Sequence, residues 1–317
     1  MSKYTAKAAL FSGIIDYAGT FPPAALPLKD ALKFNTEYRK NAKHPWLWSK
    51  MALNLSDLKN LDAKTLFENG FDGNPLVVAI LGTPFTGTSA TEYIKHIEWD
   101  LREVEHCKKR SFQSSARQLF LSYETKLPEG IELKSILDPV LTRFAELSEL
   151  EPFFEVSFGK DFEKNLKEAV QLCAQWKEDN DEVEFTPGIK IRTGGKYLPT
   201  SEELSKAVLA ITSHRLRFKA TQGLHHAISN AEGFGFANLF IALNLAQAYG
   251  EMDFGLKEIK ACLEEKNGKN FQFSKDVFKY QKFELSCEDI EKARRVHSAT
   301  FGSCSLDEPD AFLEEEL

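Results

Sequence analysis

Short apolar runs and longer amphipathic segments alternate along most of the chain. Leu10 to Tyr17, Trp46 to Leu55, Leu76 to Leu81, Leu119 to Tyr123 and Pro152 to Phe158 are rich in apolar and aromatic residues over strand length. Gly188 to Arg192 and Leu216 to Thr221 alternate with period two. Ile189 and Ile191 share one face and Lys190 and Arg192 the other, and Phe218 and Ala220 likewise separate Lys219 from Thr221. Phe271 to Phe273 or Val277 to Tyr280 is expected to supply an eighth strand.

Between the runs, helical spacing predicts Leu26 to Lys40, Leu58 to Asn69 with Ser56 or Asp57 as cap, Ala90 to Arg110, Ser135 to Leu150 and Phe162 to Lys177. Ser201 to Ser213, Asn238 to Tyr249 and Cys287 to Val296 follow. Eight strand candidates alternating with helices at intervals of about 30 to 40 residues imply parallel β/α units. A single-domain α/β chain folded as a (β/α)8 TIM-type barrel over residues 1–300 is the first expectation. An open doubly wound parallel sheet is the alternative, which periodicity does not separate from it.

Composition narrows the function classes. Hydrophobic residues make up 43% of the 317, 25 of them Phe, which supplies a substantial core. The net charge of -7 argues against nucleic acid as a partner, since phosphate binding needs a basic face. Much of that excess sits in Asp307, Glu308, Asp310, Glu314, Glu315 and Glu316, so residues 301–317 read as a flexible acidic tail. Five scattered cysteines without C-x-x-C spacing fit a reduced interior and neither a disulfide framework nor a zinc cluster. No stretch approaches the roughly 18 apolar residues of a membrane span. The expectation is a cytoplasmic protein with no membrane or nucleic-acid partner and a small anionic metabolite as ligand; homo-oligomerisation is left open.

Candidate chemistry collects where parallel strands end, the place at which β/α proteins put their working groups. If strands six and seven are neighbours, about 4.8 Å apart, Lys190, Arg192 and Lys219 point into one space. A lysine there has its charged form disfavoured by burial and by the other cations, and its neutral amine can attack a carbonyl. Which of Lys190 and Lys219 is the nucleophile stays open. Arg192 lies nearer the mouth and, with Thr193, Gly194, Gly195 and Thr221, can hold a carboxylate or phosphate. The competing explanation is a set of ion pairs with Glu124 and Glu155. Three cations against two carboxylates favour use over mere pairing.

Asp16 is a candidate base and Tyr17 a hydrogen-bond donor beside a rigid Pro22-Pro23 rim, although Asp16 capping the turn is the plainer account. Glu155 and His225 are further candidates for moving protons, and Glu124 and His226 for holding substrate. Adjacent histidines diverge, so one of the pair faces the pocket while the other packs. The other histidines, among them His297, are expected to face solvent. No helical ligand spacing such as H-x-x-x-H occurs around these residues, so no metal and no cofactor is expected; a divalent metal is the alternative.

Ile15 to Ala24 and Phe218 to His226 resemble the I-D-Y-A-G-x-F-P-P-A and F-K-A-T-x-G-L-H-H segments of a family of bacterial proteins of unassigned function. The resemblance runs over most of the chain and implies that both segments belong to one site. At motif level, Lys190 with Thr193-Gly194, and Lys219 ahead of Gly223, are similar to the two lysines of deoxyribose-phosphate aldolase barrels. That similarity implies Lys190 as the imine-forming nucleophile and Lys219 as the cation lowering its pKa. The chain departs from that family in having only Val77 to Leu81 where an aspartate belongs, and in His225-His226.

Three functions follow as expectations. The first is an aldolase-like lyase acting on a small anionic carbonyl compound through a lysine Schiff base. The second is a metal-assisted hydrolase or isomerase using His225 or His226 with Asp16, Glu124 or Glu155. The third is a non-catalytic barrel that binds an anionic metabolite or a protein.

Overall fold

The computed structural model describes residues 5–112, 117–147, 149–159, 161–195 and 198–317. Eight parallel strands close into a barrel in the order β1-β11-β7-β6-β5-β4-β3-β2. These are β1 (Ile15–Tyr17), β2 (Trp48–Asn54), β3 (Leu76–Leu81), β4 (Gln118–Lys126), β5 (Glu151–Val156), β6 (Gly188–Arg192), β7 (Arg217–Thr221) and β11 (Thr300–Ser303). The fold is a (β/α)8 barrel, and closure removes the open sheet.

Helix α1 (Ala6–Phe11) precedes the first strand. The barrel then winds through α2 (Leu28–Asn41), α3 (Leu55–Asn60), α4 (Ala63–Glu68), α5 (Ala90–Phe112), α6 (Leu137–Leu147), α7 (Phe162–Asp179), α8 (Ser201–Ser213), α9 (Phe236–Asp253), α10 (Leu256–Glu264), α11 (Cys287–His297) and α12 (Asp307–Glu316). Period-two alternation buries Ile189, Ile191, Phe218 and Ala220 completely under the helices, each bulky side chain contributing about 1.5–3 kcal/mol. The first three turns of α9, apolar but for Asn238 and Asn244, are buried on all sides, Phe236 through Ala246. Among the described residues no helix is long and apolar enough to cross a membrane.

Three expectations are corrected. The stretch from Leu58 to Asn69 is two short helices, because Asn54 caps Asp57 N–H at 2.7 Å and Asp62 caps Thr65 N–H at 2.7 Å. Phe271 to Phe273 and Val277 to Tyr280 are not barrel strands. They are β8 (Phe271–Phe273) and β9 (Val277–Tyr280), and β9 pairs antiparallel with both β8 and β10 (Phe283–Ser286) in a separate three-stranded sheet.

The eighth barrel strand is instead Thr300–Ser303, which runs across the expected boundary into the segment expected to be a tail. The acidic run is α12, the helix of the eighth β/α unit, with Leu306, Pro309 and Leu313 buried. Asp307, Glu308 and Asp310 stand in its first turn, where carboxylates complement the helix dipole. Lys43 and Glu314 at 2.9 Å, and His44 and Asp310 at 2.7 Å, tie it down.

Candidate active site

Parallel register decides which polar side chains meet. Lys190 stands level with Glu155 on one side and Lys219 on the other, Lys219 level with Thr300, and Asp16 level with Lys50 and Gly302. Alternation turns this set inward.

The side chains form one row of alternating charge. Lys50 Nζ lies 3.1 Å from Asp16 Oδ1. Asp16 Oδ2 accepts hydrogen bonds from Lys219 Nζ and, at 2.9 Å, from Thr300 Oγ1. Lys219 also pairs with Glu124 Oε1. Glu124 Oε2 is 3.1 Å from Lys190 Nζ, which lies 2.9 Å from Glu155 Oε2. Arg192 closes the row, donating to Glu155 Oε1 from Nη2 at 2.8 Å and Nε at 3.2 Å. Among the described residues, four cations of this row therefore face three carboxylates.

This arrangement reverses the expected electrostatics at Lys219. Burial alone would lower its pKa, but the carboxylates of Asp16 and Glu124 outweigh burial and raise it. The same competition runs oppositely on the acids. Burial pushes Asp16, Glu124 and Glu155 up, yet Lys219 with Lys50, Lys219 with Lys190, and Lys190 with Arg192 respectively hold them below their ordinary values. Lys219 is thus a locked ammonium, and the count of two neutralising carboxylates is corrected to three.

A cavity of about 580 Å³ opens at the C-terminal ends of the strands. Lys190, Arg192, Lys219, Glu124 and Thr221 form its charged and polar wall, with Gly195 and His225. Phe21, Pro22 and Pro23 face them, beside Ser303 and Cys304. Asp16 is fully buried beneath, and Glu155 backs Lys190 and Arg192.

The remaining candidates divide between the cavity and its surroundings. Tyr17 points away from Asp16 into the core, its ring 5.6 Å from that of Phe34, so it is no rim donor. Thr193 is fully buried and holds the next loop, its Oγ1 donating to Gln222 O at 2.5 Å and its N–H to Thr221 O at 2.9 Å. Gly194 permits that contact, since a Cβ there would lie 2.5 Å from Gly223 Cα. The histidines diverge. His225 lines the cavity with Nδ1 3.2 Å from Glu308, whereas His226 turns to α12, 2.7 Å from Glu316 and with its ring tilted against that of Phe312 at 4.1 Å.

Sequence reasoning passed over Lys50, Thr300, Ser303 and Cys304. Lys50 carried the same signal as Lys190, a lysine inside an otherwise apolar strand. The others lie on or just after the strand that was misplaced.

Chemically, the site can bind an anion through Arg192, move protons between Lys190 and its two glutamates, and present one amine to a bound carbonyl. Among the described residues no group of three or more His, Cys, Asp or Glu side chains is arranged to hold a metal ion. Scanned against protein-family models the chain matches none, and a search of curated proteins gives no match.

Proposed function

We propose that this barrel is an aldolase-like lyase acting on a small carbonyl compound that carries a carboxylate or phosphate, with Lys190 as the imine-forming residue. One observation carries the proposal. Lys190 Nζ sits on the cavity wall between Glu124 at 3.1 Å and Glu155 at 2.9 Å, and Arg192 holds the far oxygen of Glu155. Lys219, 2% exposed and paired twice, is assigned as the positioning residue that fixes Glu124.

The chemistry follows from competition for Arg192. A substrate anion that takes the guanidinium leaves Glu155 with one cation fewer, and its proton affinity rises. Glu155 then accepts a proton from the Lys190 ammonium. The free amine attacks the carbonyl carbon, and proton transfer from nitrogen to oxygen gives a neutral carbinolamine. Glu155 returns its proton to the hydroxyl, which leaves as water, and the nitrogen lone pair forms the iminium. That iminium receives the electron pair of the C–C bond as it breaks. His225, which lines the cavity, serves in this scheme as the base that takes the proton of the substrate hydroxyl.

The metal-assisted alternative asks His225 to share an ion with Asp16, Glu124 or Glu155. Each of those carboxylates already contacts an ammonium or a guanidinium, which favours the imine.

Incubation with a panel of aldehydes and keto acids, followed by borohydride and peptide mass spectrometry, tests the proposal. The expected result is a reduced adduct on Lys190 that disappears in Lys190→Met. An adduct on Lys219 alone, or none across the panel, would falsify it.

A further inference from the structure

At the opposite end of the barrel, between the N-terminal ends of the strands, lies a second cavity of about 480 Å³. Leu121 of β4, Phe153 of β5 and Ala9 of α1 form its apolar wall, and Lys50, Ser122 and Thr300 its polar floor. The ionic row described above therefore begins at one cavity and ends at the other. Gly188 leaves space for the Phe153 ring, which a Cβ there would meet at 2.3 Å, and Lys219 Nζ lies 5.9 Å from that ring's centroid.

Two hydrogen-bonding capacities of the floor, the Ser122 hydroxyl and the remaining donors of Lys50, are unused by the site above. Ser122 is 1% exposed, and its Oγ has no hydrogen-bond partner among the described residues. A buried hydroxyl left in that state is destabilising until a partner satisfies it. Lys50, with its side chain 9% exposed, contacts one carboxylate oxygen among the described residues, Asp16 Oδ1 at 3.1 Å, and an ammonium carries three donors.

We propose that this lower cavity is a binding site for a small aliphatic carboxylate. The headgroup accepts from Lys50 and Ser122, and the chain lies along Leu121, Phe153 and Ala9. Charge selects the ligand's sign: the row has four cations and three carboxylates, so an anion completes it and a cation adds to the excess. The rim carries both signs and does not decide the matter. Glu151 pairs with Arg217 at 3.3 Å, Arg294 donates to Leu10 O at 2.7 Å and Ser12 O at 2.5 Å, and Glu291 and Arg295 complete it. Leu121, 48% exposed, is apolar surface that an aliphatic chain would cover.

Calorimetric titration with sodium butyrate tests the site. The Arg192→Gln protein is used so that the upper cavity has lost its guanidinium. Butyrate is expected to bind it, and adding Leu121→Trp, which fills the lower cavity from its rim, is expected to weaken binding by about tenfold or more. Ser122→Val in the same Arg192→Gln background is expected to weaken butyrate similarly while unfolding stays cooperative, which guards against misfolding of the tryptophan variant. Absence of butyrate binding, binding unaffected by both lower-cavity substitutions, or equal binding of n-butylammonium overturns the proposal. Failure of the borohydride experiment at Lys190 leaves this result untouched, because the two sites are read separately.

Discussion

At the scale of single residues, charge placement rather than side-chain type decides what each group can do. Lys219 looks like a nucleophile and is an anchor, since Asp16 and Glu124 hold its proton. Lys219→Met leaves both carboxylates buried without that partner, and stability is expected to fall by about 3–5 kcal/mol, measured by urea unfolding. A loss below about 1 kcal/mol would contradict the anchoring role. His297 was expected at the surface and is fully buried, with Nδ1 accepting the Ala299 N–H at 3.1 Å. Burial, with the Arg294 and Arg217 charges nearby, pushes its pKa down to about 3. The folded state thus binds fewer protons than the unfolded chain, so stability is complete above about pH 6.5 and falls as pH drops, by about 1.4 kcal/mol per unit. Urea midpoints between pH 7 and pH 5 check this, and His297→Gln is expected to flatten the slope.

At the scale of elements, most strands and helices were legible because side-chain periods of two and 3.6 are local properties. Gly188 to Arg192 and Leu76 to Leu81 needed nothing else. The eighth strand was not legible. Thr300–Ser303 is four residues with one bulky side chain, while Phe271 to Phe273 and Val277 to Tyr280 carry a stronger β pattern and pair elsewhere. Pairing partner is tertiary information, and so is the sign of the site's electrostatics. The carboxylate that fixes Lys219 stands 203 positions away in the chain. Loops show the same dependence on partners. In Gly194→Ala a Cβ would meet Gly223 backbone at 2.5 Å, which cannot yield as a flexible side chain would. The expected cost is about 1–3 kcal/mol, read as a lowered unfolding midpoint, with weaker anion binding in the upper cavity.

At the scale of the whole molecule, the barrel axis is an ionic row joining two cavities. Its three carboxylates titrate below their ordinary values, so their contribution is complete above about pH 4.3 and is lost as pH falls through the lowered folded values. Lys219 is raised, so its contribution is complete below about pH 10.4 and is lost as pH climbs through its folded value. Chemical denaturation from pH 3 to pH 11 is expected to show a plateau between those limits, with the His297 decline superposed on its acid side. The single excess positive charge also couples the cavities. An anion at Lys50 is expected to weaken inorganic phosphate binding at Arg192, and phosphate to weaken butyrate by the same factor, measured by paired titrations. Finally, the tie from Thr193 to Gln222 and the bare contact of Gly194 with Gly223 make one side of the upper mouth a fixed post. The opposite sill, formed by Phe21, Pro22 and Pro23, takes no part in that tie.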